Sequence, residues 1–376
     1  MGWVALPVAV AVIAAVLVDA FEVMILPRRV RRSFRLARVF YRSTWAVWRR
    51  AALGFPAGKY RQGFLGVFGP LSLFALVAVW AIGLIAGFAL LHWSIGTATN
   101  GADGRYSTDL YFSGTTFFTL GYGDIVPTGS LGRFLSIVEA GLGFVFLAVV
   151  VSYLPILYQA FSRREIAISL FDARAGSPPT AGELLRRLAE AKSLASIGPM
   201  LIEWERWAAE LLESHMSFPV LGYYRSQHEN QSWVATLTAI LDTSAVIIAG
   251  VDGPHGYQAR LTFAMARHAA VDLAMAFQSP ASVARLTDAE IERLQESLCT
   301  ADLDLRDGPT MAAALTELCG LYEPFVRSLG AYYGFKLPPF LPITPPVDNW
   351  QTSAWMPRSP GLSGLPAART GDSHFD

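Results

Sequence analysis

Ser107-Thr-Asp-Leu-Tyr-Phe-Ser-Gly-Thr-Thr-Phe-Phe-Thr119-Leu120-Gly121-Tyr122-Gly123-Asp124 is the stretch on which the fold turns. Its first part reads as a short helix over about 108–118. Ser107 is a reasonable N-cap, and Asp109 in the first turn complements the helix dipole. An extended run follows, with glycine at alternate positions, Gly121 and Gly123. Pointing successive carbonyls the same way requires alternate residues at φ > 0, which glycine alone visits cheaply. A row of such carbonyls can replace the water shell of a dehydrating cation. The Thr119 hydroxyl can add an innermost ring of oxygens. The side chains of Leu120 and Tyr122 would point away and pack behind the run, and Asp124 would lie at its outer mouth. The plainer alternative is a glycine-rich turn in an exposed loop.

The flanks decide between these readings. Residues 1–18 carry no charge, none occurs from Gln62 to Ala102, and none occurs between Glu139 and Arg163. A helix of about 20 apolar residues crosses the hydrocarbon layer, so spans are expected near 3–26, 65–92 and 131–159. The first lacks a basic leader and a small-residue cleavage site, so it does not read as a signal peptide. Irregular backbone at membrane depth is tolerated only where protein surrounds it or it lines water. The whole chain of 376 residues is 53% hydrophobic and only 16% charged, against roughly 25% for soluble domains. Disorder is thereby excluded as the main state. The balance of 30 basic and 30 acidic residues argues against nucleic acid as a partner. Cys299 and Cys319 cannot build a disulfide framework and match no metal spacing.

Between the first two spans lie Arg28, Arg29, Arg31, Arg32, Arg35, Arg38, Arg42, Arg49 and Arg50. By the positive-inside rule this segment is cytoplasmic. The N-terminus and residues 93–130 are then outside, and everything after Tyr158 is inside, a multi-pass arrangement in the plasma (cell inner) membrane. The spacing of Arg29, Arg32, Arg35 and Arg38 is that of a voltage-sensing helix, but only one span precedes them and Arg28 and Arg31 break the stripe. A basic amphipathic helix at the inner leaflet fits better, with Phe34, Tyr41, Trp45 and Trp48 inserted and anionic lipid bound. Asp19 and Glu22 are its expected ion-pair partners. Trp233–Val251 is a fourth apolar run, but Asp242 at its centre would cost about 2.5–3.5 kcal/mol in a membrane, which favours a buried helix of a soluble domain.

Thr119-Leu120-Gly121-Tyr122-Gly123-Asp124, lying between two spans, resembles the selectivity-filter signature of the potassium-channel pore family. The commoner family form has Val where Leu120 stands, and only that residue's carbonyl faces the ion. The resemblance implies potassium held at Thr119, Leu120, Gly121, Tyr122 and Gly123, with no other cofactor and no enzymatic step. One pore loop per chain cannot close a ring, so a homotetramer is implied. In the third span Gly141 and Gly143 lie where the family's inner helix has its hinge, Gly143 being the better match. The competing reading is that these glycines let helices pack closely. Pro155 removes the bond to the Val151 carbonyl and should kink the helix near the family's gate. Phe144, Leu147, Ala148, Val151 and Ser152 would line the cavity. Glu139, the one acid deep in this span, is expected behind the filter, bonded to Thr115 or Thr116. Its alternatives are a neutral buried acid or a gating sensor. Tyr111 or Thr115 is expected to hold Asp124.

After Ala167 the pattern is helical at globular lengths, with helices expected over 180–194, 198–214, 231–250, 257–278, 287–299 and 309–331. Thr180 with Glu183, and Thr287 with Glu290, read as capping boxes, and Pro309 suits a first helical position. Gly250-Val-Asp-Gly253-Pro-His-Gly256 lacks the GxGxxG spacing of a phosphate cradle. His215, His228, His255 and His268 have no metal-ligand spacing. The expectation is thus an all-α membrane protein: three transmembrane helices with a re-entrant pore helix and filter, then an all-helical cytoplasmic domain. Its divisions fall at 1–62 (first span and basic helix), 63–160 (pore domain), 161–345 (helical regulatory domain) and 346–376 (disordered tail). A potassium-selective channel is the leading function. A poorly selective cation channel, or a non-conducting membrane anchor for a helical signalling module, are the alternatives.

Overall fold

The computed structural model describes residues 2–26, 35–56, 58–100, 104–226, 231–275 and 285–343. Arg28, Arg29, Arg31, Arg32, Phe34, His228 and the tail expected over 346–376 lie outside the described residues. The protein is an all-α membrane protein, and among the described residues the only extended pairings are two isolated bridges. Five helices come first: α1 (Gly2–Met24), α2 (Leu36–Ala52), α3 (Lys59–Ile95), α4 (Tyr106–Phe117) and α5 (Ser130–Ala175). Among the described residues seven more follow: α6 (Ala181–Glu190), α7 (Ile197–Ser217), α8 (Trp233–Gly250), α9 (Gly256–Ala274), α10 (Asp288–Thr300), α11 (Gly308–Gly320) and α12 (Glu323–Tyr333). The chain divides into two compact units. One runs from α1 into α5 as far as Ala160 and includes Met216–Tyr224; the other holds Phe161–His215 and the chain from Arg225 onward.

In the first unit α3 is the central element. Leu76, Trp80 and Leu84, one turn apart, are fully buried against Val16 of α1 and Phe117 of α4. Asp19 of α1 is buried and accepts hydrogen bonds from the Ala37 amide of α2 (3.1 Å) and from Trp80 Nε1 of α3 (2.9 Å). It therefore caps α2 from another helix, meeting an amide that has no partner within its own first turn. Of the two expected ion-pair partners of the basic segment, Glu22 lies 3.3 Å from Arg35.

The aromatic face of α2 differs from expectation. Trp45 is buried, and with Tyr41 and Trp48 it turns into the protein: Trp45 lies 4.9 Å from the Phe68 ring and Trp48 stacks on Phe64 at 4.5 Å. Residues 41, 45 and 48 share one helical face; Arg38, Arg42 and Arg49 flank it and Arg50 lies opposite, and all four arginines are exposed. An amphipathic stripe is equally satisfied by lipid or by protein, and here α3 supplies the apolar partner. The pore helix α4 begins one residue before Ser107, with Arg105 at the N-cap position and no side-chain cap.

The second unit is built round α8. Among the described residues four helices are long and apolar enough to cross a membrane, α8 among them, but 94% of its most apolar stretch is buried inside protein, against 11% for α5. Asp242 explains the lone acid on this helix. Its carboxylate accepts from Arg285 Nη2 (2.7 Å) and Nη1 (3.1 Å) and from the Tyr322 hydroxyl (2.5 Å). Arg285 also reaches Glu323 at 2.6 Å. A buried charge is tolerable when it is paired and hydrogen-bonded in this way. The Thr287 capping box forms in full, and Pro309 sits in the first turn of α11. Thr180 caps α6 from one side only, because the Glu183 carboxylate turns to Arg186 and Arg187 instead. The single helix expected over 309–331 is two, α11 and α12. Pro324 has no amide proton to continue the ladder from Gly320, so a new helix starts there.

Candidate pore loop and its supports

The run after α4 has the alternation that the glycine spacing required, extended by one residue. Positive φ occurs at Thr119 (57°), Gly121 (54°) and Gly123 (78°), and the intervening Leu120 and Tyr122 are not left-handed. Thr119 was not foreseen in this role. For a β-branched residue the left-handed region is strained by about 1–3 kcal/mol. The C-terminus of α4 holds the strained backbone in place. The Thr119 amide donates to the Thr116 carbonyl at 3.0 Å, and the Thr115 carbonyl receives the amides of Leu120 (2.8 Å) and Gly121 (3.3 Å).

Leu120 and Tyr122 do not pack behind the run within this chain: their side chains are 54% and 69% exposed. At the far end Asp124 accepts from the Tyr111 hydroxyl (2.8 Å) and from the Ile125 amide (3.0 Å). Thr115 has no side-chain bond to Asp124; its hydroxyl donates to the Phe112 carbonyl at 2.9 Å. Its contact with the loop is through the main chain. The segment beyond Asp124 is strapped to the end of α3: the Thr128 amide donates to the Ala98 carbonyl (2.8 Å) and the Val126 amide to Asn100 Oδ1 (2.8 Å).

Glu139 is completely buried, but its partners are not Thr115 or Thr116. One carboxylate oxygen accepts from the Ser113 hydroxyl of α4, and the other lies 3.5 Å from His92 Nε2 of α3. His92 Nδ1 in turn meets the Thr97 hydroxyl at 2.9 Å, and the Phe112 ring stands edge-on to the imidazole at 5.2 Å. Ser113 faces α5, whereas position 115 is turned roughly 200° away round α4. His92 and Ser113 were missed from sequence. A signal existed for the first, since His92 is the one titratable side chain between Gln62 and Ala102. The result is a buried polar cluster drawn from α3, α4 and α5 immediately beside the pore helix.

Gly143 has a direct packing reason. A Cβ there would stand 2.0 Å from the Phe117 carbonyl oxygen, so the C-terminus of α4 rests on bare backbone of α5. Gly141 has open space around it. The helix α5 runs without interruption through Gly141, Gly143 and Pro155. Phe144, Leu147, Ala148, Val151 and Ser152 lie along one face of α5 and are all exposed in the chain. The stretch from Gly250 to Gly256 follows a helix rather than a strand, and a Cβ on Gly250 would meet the Met311 sulfur at 2.5 Å, so that glycine serves helix packing.

A re-entrant helix ending in a loop of alternating handedness, set between two long apolar helices, defines the class of pore-loop membrane proteins. Residues 71–160 match the family model described as ion channel. The chain is 36% identical over 93 residues to Protein LctB of Geobacillus stearothermophilus, covering 22% of this chain and 68% of that protein. It is 32% identical over 93 residues to Protein LctB of Bacillus caldotenax, with the same coverage of 22% and 68%. It is also 29% identical over 189 residues to the uncharacterized membrane protein YdjJ of Bacillus subtilis (strain 168), covering 49% of this chain and 54% of that protein. The match thus spans about half the length of YdjJ. No solved structure matches the chain. The chain belongs to the ion-channel family, with the two-helix pore that its filter motif resembles.

Proposed function

We propose that the chain is one subunit of a homotetrameric, potassium-selective channel that passes ions passively down their gradient. The observation that carries this reading is the alternation of left-handed backbone at Thr119, Gly121 and Gly123. Carbonyls aligned by that alternation, repeated round a closed ring of copies, give a potassium ion oxygens in place of its water. Thr119, Leu120, Gly121 and Tyr122 hold the ion, Gly123 completes the loop, and Asp124 stands at the outer mouth. Tyr111 and the main chain of Thr115 brace the loop on one side, and the Glu139 cluster braces α4 on the other. The exposed apolar side chains Leu120 and Tyr122, and the open face of α5, support a ring in which neighbouring copies cover the first and a cavity meets the second. In this reading α1, α3 and α5 span the membrane, with the N-terminus outside and the arginines of α2 at the inner leaflet, where they bind anionic lipid; the excess of arginine between the first two spans supports that orientation. The gate lies towards Pro155.

Purified protein in potassium-loaded liposomes tests this. Potassium efflux is expected from the parent chain and should be abolished by Gly121→Asp, which inserts a side chain where φ is positive. Absence of flux from the parent under any voltage would favour the anchoring module.

A further inference from the structure

One segment of the later chain is built into the first unit. Met216–Tyr224 comprises the last two residues of α7 and the turn that follows it, yet it groups with the membrane helices, while the residues on both sides of it do not. Pro219 opens a 3₁₀ helix, Pro219–Tyr223, of which Val220, Leu221, Gly222 and Tyr223 are buried. Tyr223 sits in an aromatic box. Its ring stacks on Tyr41 at 5.5 Å, meets Trp45 edge-on at 5.2 Å and lies 5.1 Å from Phe68. Tyr224 fits over bare backbone of α3, where a Cβ on Gly69 would stand 2.6 Å from its ring. At the other end Phe218 meets Tyr153 of α5 edge-on at 5.4 Å. Tyr153 is buried and lies two residues before Pro155.

The segment therefore touches α2, α3 and α5 together, through rings that pack densely and do not slide. Its first two residues, Met216 and Ser217, end α7, a helix of 21 residues. We propose that Met216–Tyr224 is a wedge through which movement of the helical unit is delivered to the inner helix beside Pro155, and so sets the open probability of the pore. This rests on the channel reading above. A rod ending in a wedge between two helices has the form a coupling element needs: displacing α7 moves Phe218 against Tyr153 while Tyr223 stays anchored by α2 and α3. Coupling energy travels through such contiguous packed contacts when the element they bias has two arrangements.

Two variants of the full chain test it, each checked for parent-like helix content. Phe218→Ala removes the ring against Tyr153, and Gly69→Ala forces the Tyr224 ring from its seat. In potassium-loaded liposomes each is expected to change open probability about fivefold or more, with the reversal potential unmoved. A conducting parent with unchanged open probability in both variants overturns the wedge. Hydrogen exchange over residues 150–160 supplies a second readout that does not need current. Faster exchange there in Phe218→Ala than in the parent supports the proposal, and identical exchange overturns it. A parent that carries no current counts against the channel reading alone, and the exchange result then decides the wedge.

Discussion

At the scale of single residues, three buried polar groups are matched by partners that helical spacing does not announce. Asp19 caps a helix that is not its own, and Glu139 meets a serine and a histidine from two other helices. His215 is the clearest case in the helical unit. Its Nδ1–H donates to the Leu211 carbonyl at 2.9 Å, which leaves Nε2 to accept from Arg164 Nη1 at 3.3 Å. Its ring also lies 4.8 Å from that of Trp233. Burial first, and then the nearby Arg164 charge, hold the imidazole well below its ordinary value, so it is neutral in the folded chain. The unfolded chain binds the proton once pH falls through about 6.5, and the folded chain does not. Stability is therefore full above that pH and falls as the solution is acidified. Thermal unfolding followed from about pH 7.5 to about pH 5.5 should show the midpoint falling in the parent and falling less in His215→Gln. Equal slopes would remove His215 from this role.

At the scale of elements, the contact among α1, α2 and α3 is the most easily broken. Asp19→Ala takes the acceptor from both the Ala37 amide and Trp80 Nε1, leaving two buried donors unpaired. The expected loss is about 1–3 kcal/mol, read as a lower unfolding midpoint of the detergent-solubilised chain, while Asp19→Asn, which keeps one oxygen, should lose less. The long apolar helices were legible because charge is missing from whole stretches, a signal that no local packing can imitate. The glycines at 121 and 123 were legible for the same kind of reason, since few residue types tolerate their backbone. Thr119 was not, because a β-branched residue gives no hint that its neighbours will hold it at positive φ. The direction of the α2 aromatic face and the partners of Glu139 were also hidden. Helical spacing tells which residues share a face, and does not tell which helix comes to meet it. The division of 309–331 at Pro324 could have been read from proline alone.

At the scale of the whole molecule, the same composition serves two solvents. α8 has the length and hydropathy of a span and yet is enclosed by the helices of its own unit, its single acid answered by Arg285 and Tyr322. α5 has the same apolar character with its surface open, along the face that the channel reading turns towards a cavity. Exposure of Leu120 and Tyr122 belongs with this contrast: the pore loop is braced from behind α4 by its own chain and left uncovered where further copies would stand. The central claim is that the backbone of Thr119 to Gly123 selects potassium. The reversal potential of the purified protein in a bilayer, with potassium on one side and sodium on the other, tests it most directly. The account predicts a reversal close to the potassium equilibrium potential, lost together with the current in Gly121→Asp. A reversal that is indifferent to exchange of sodium for potassium would contradict it.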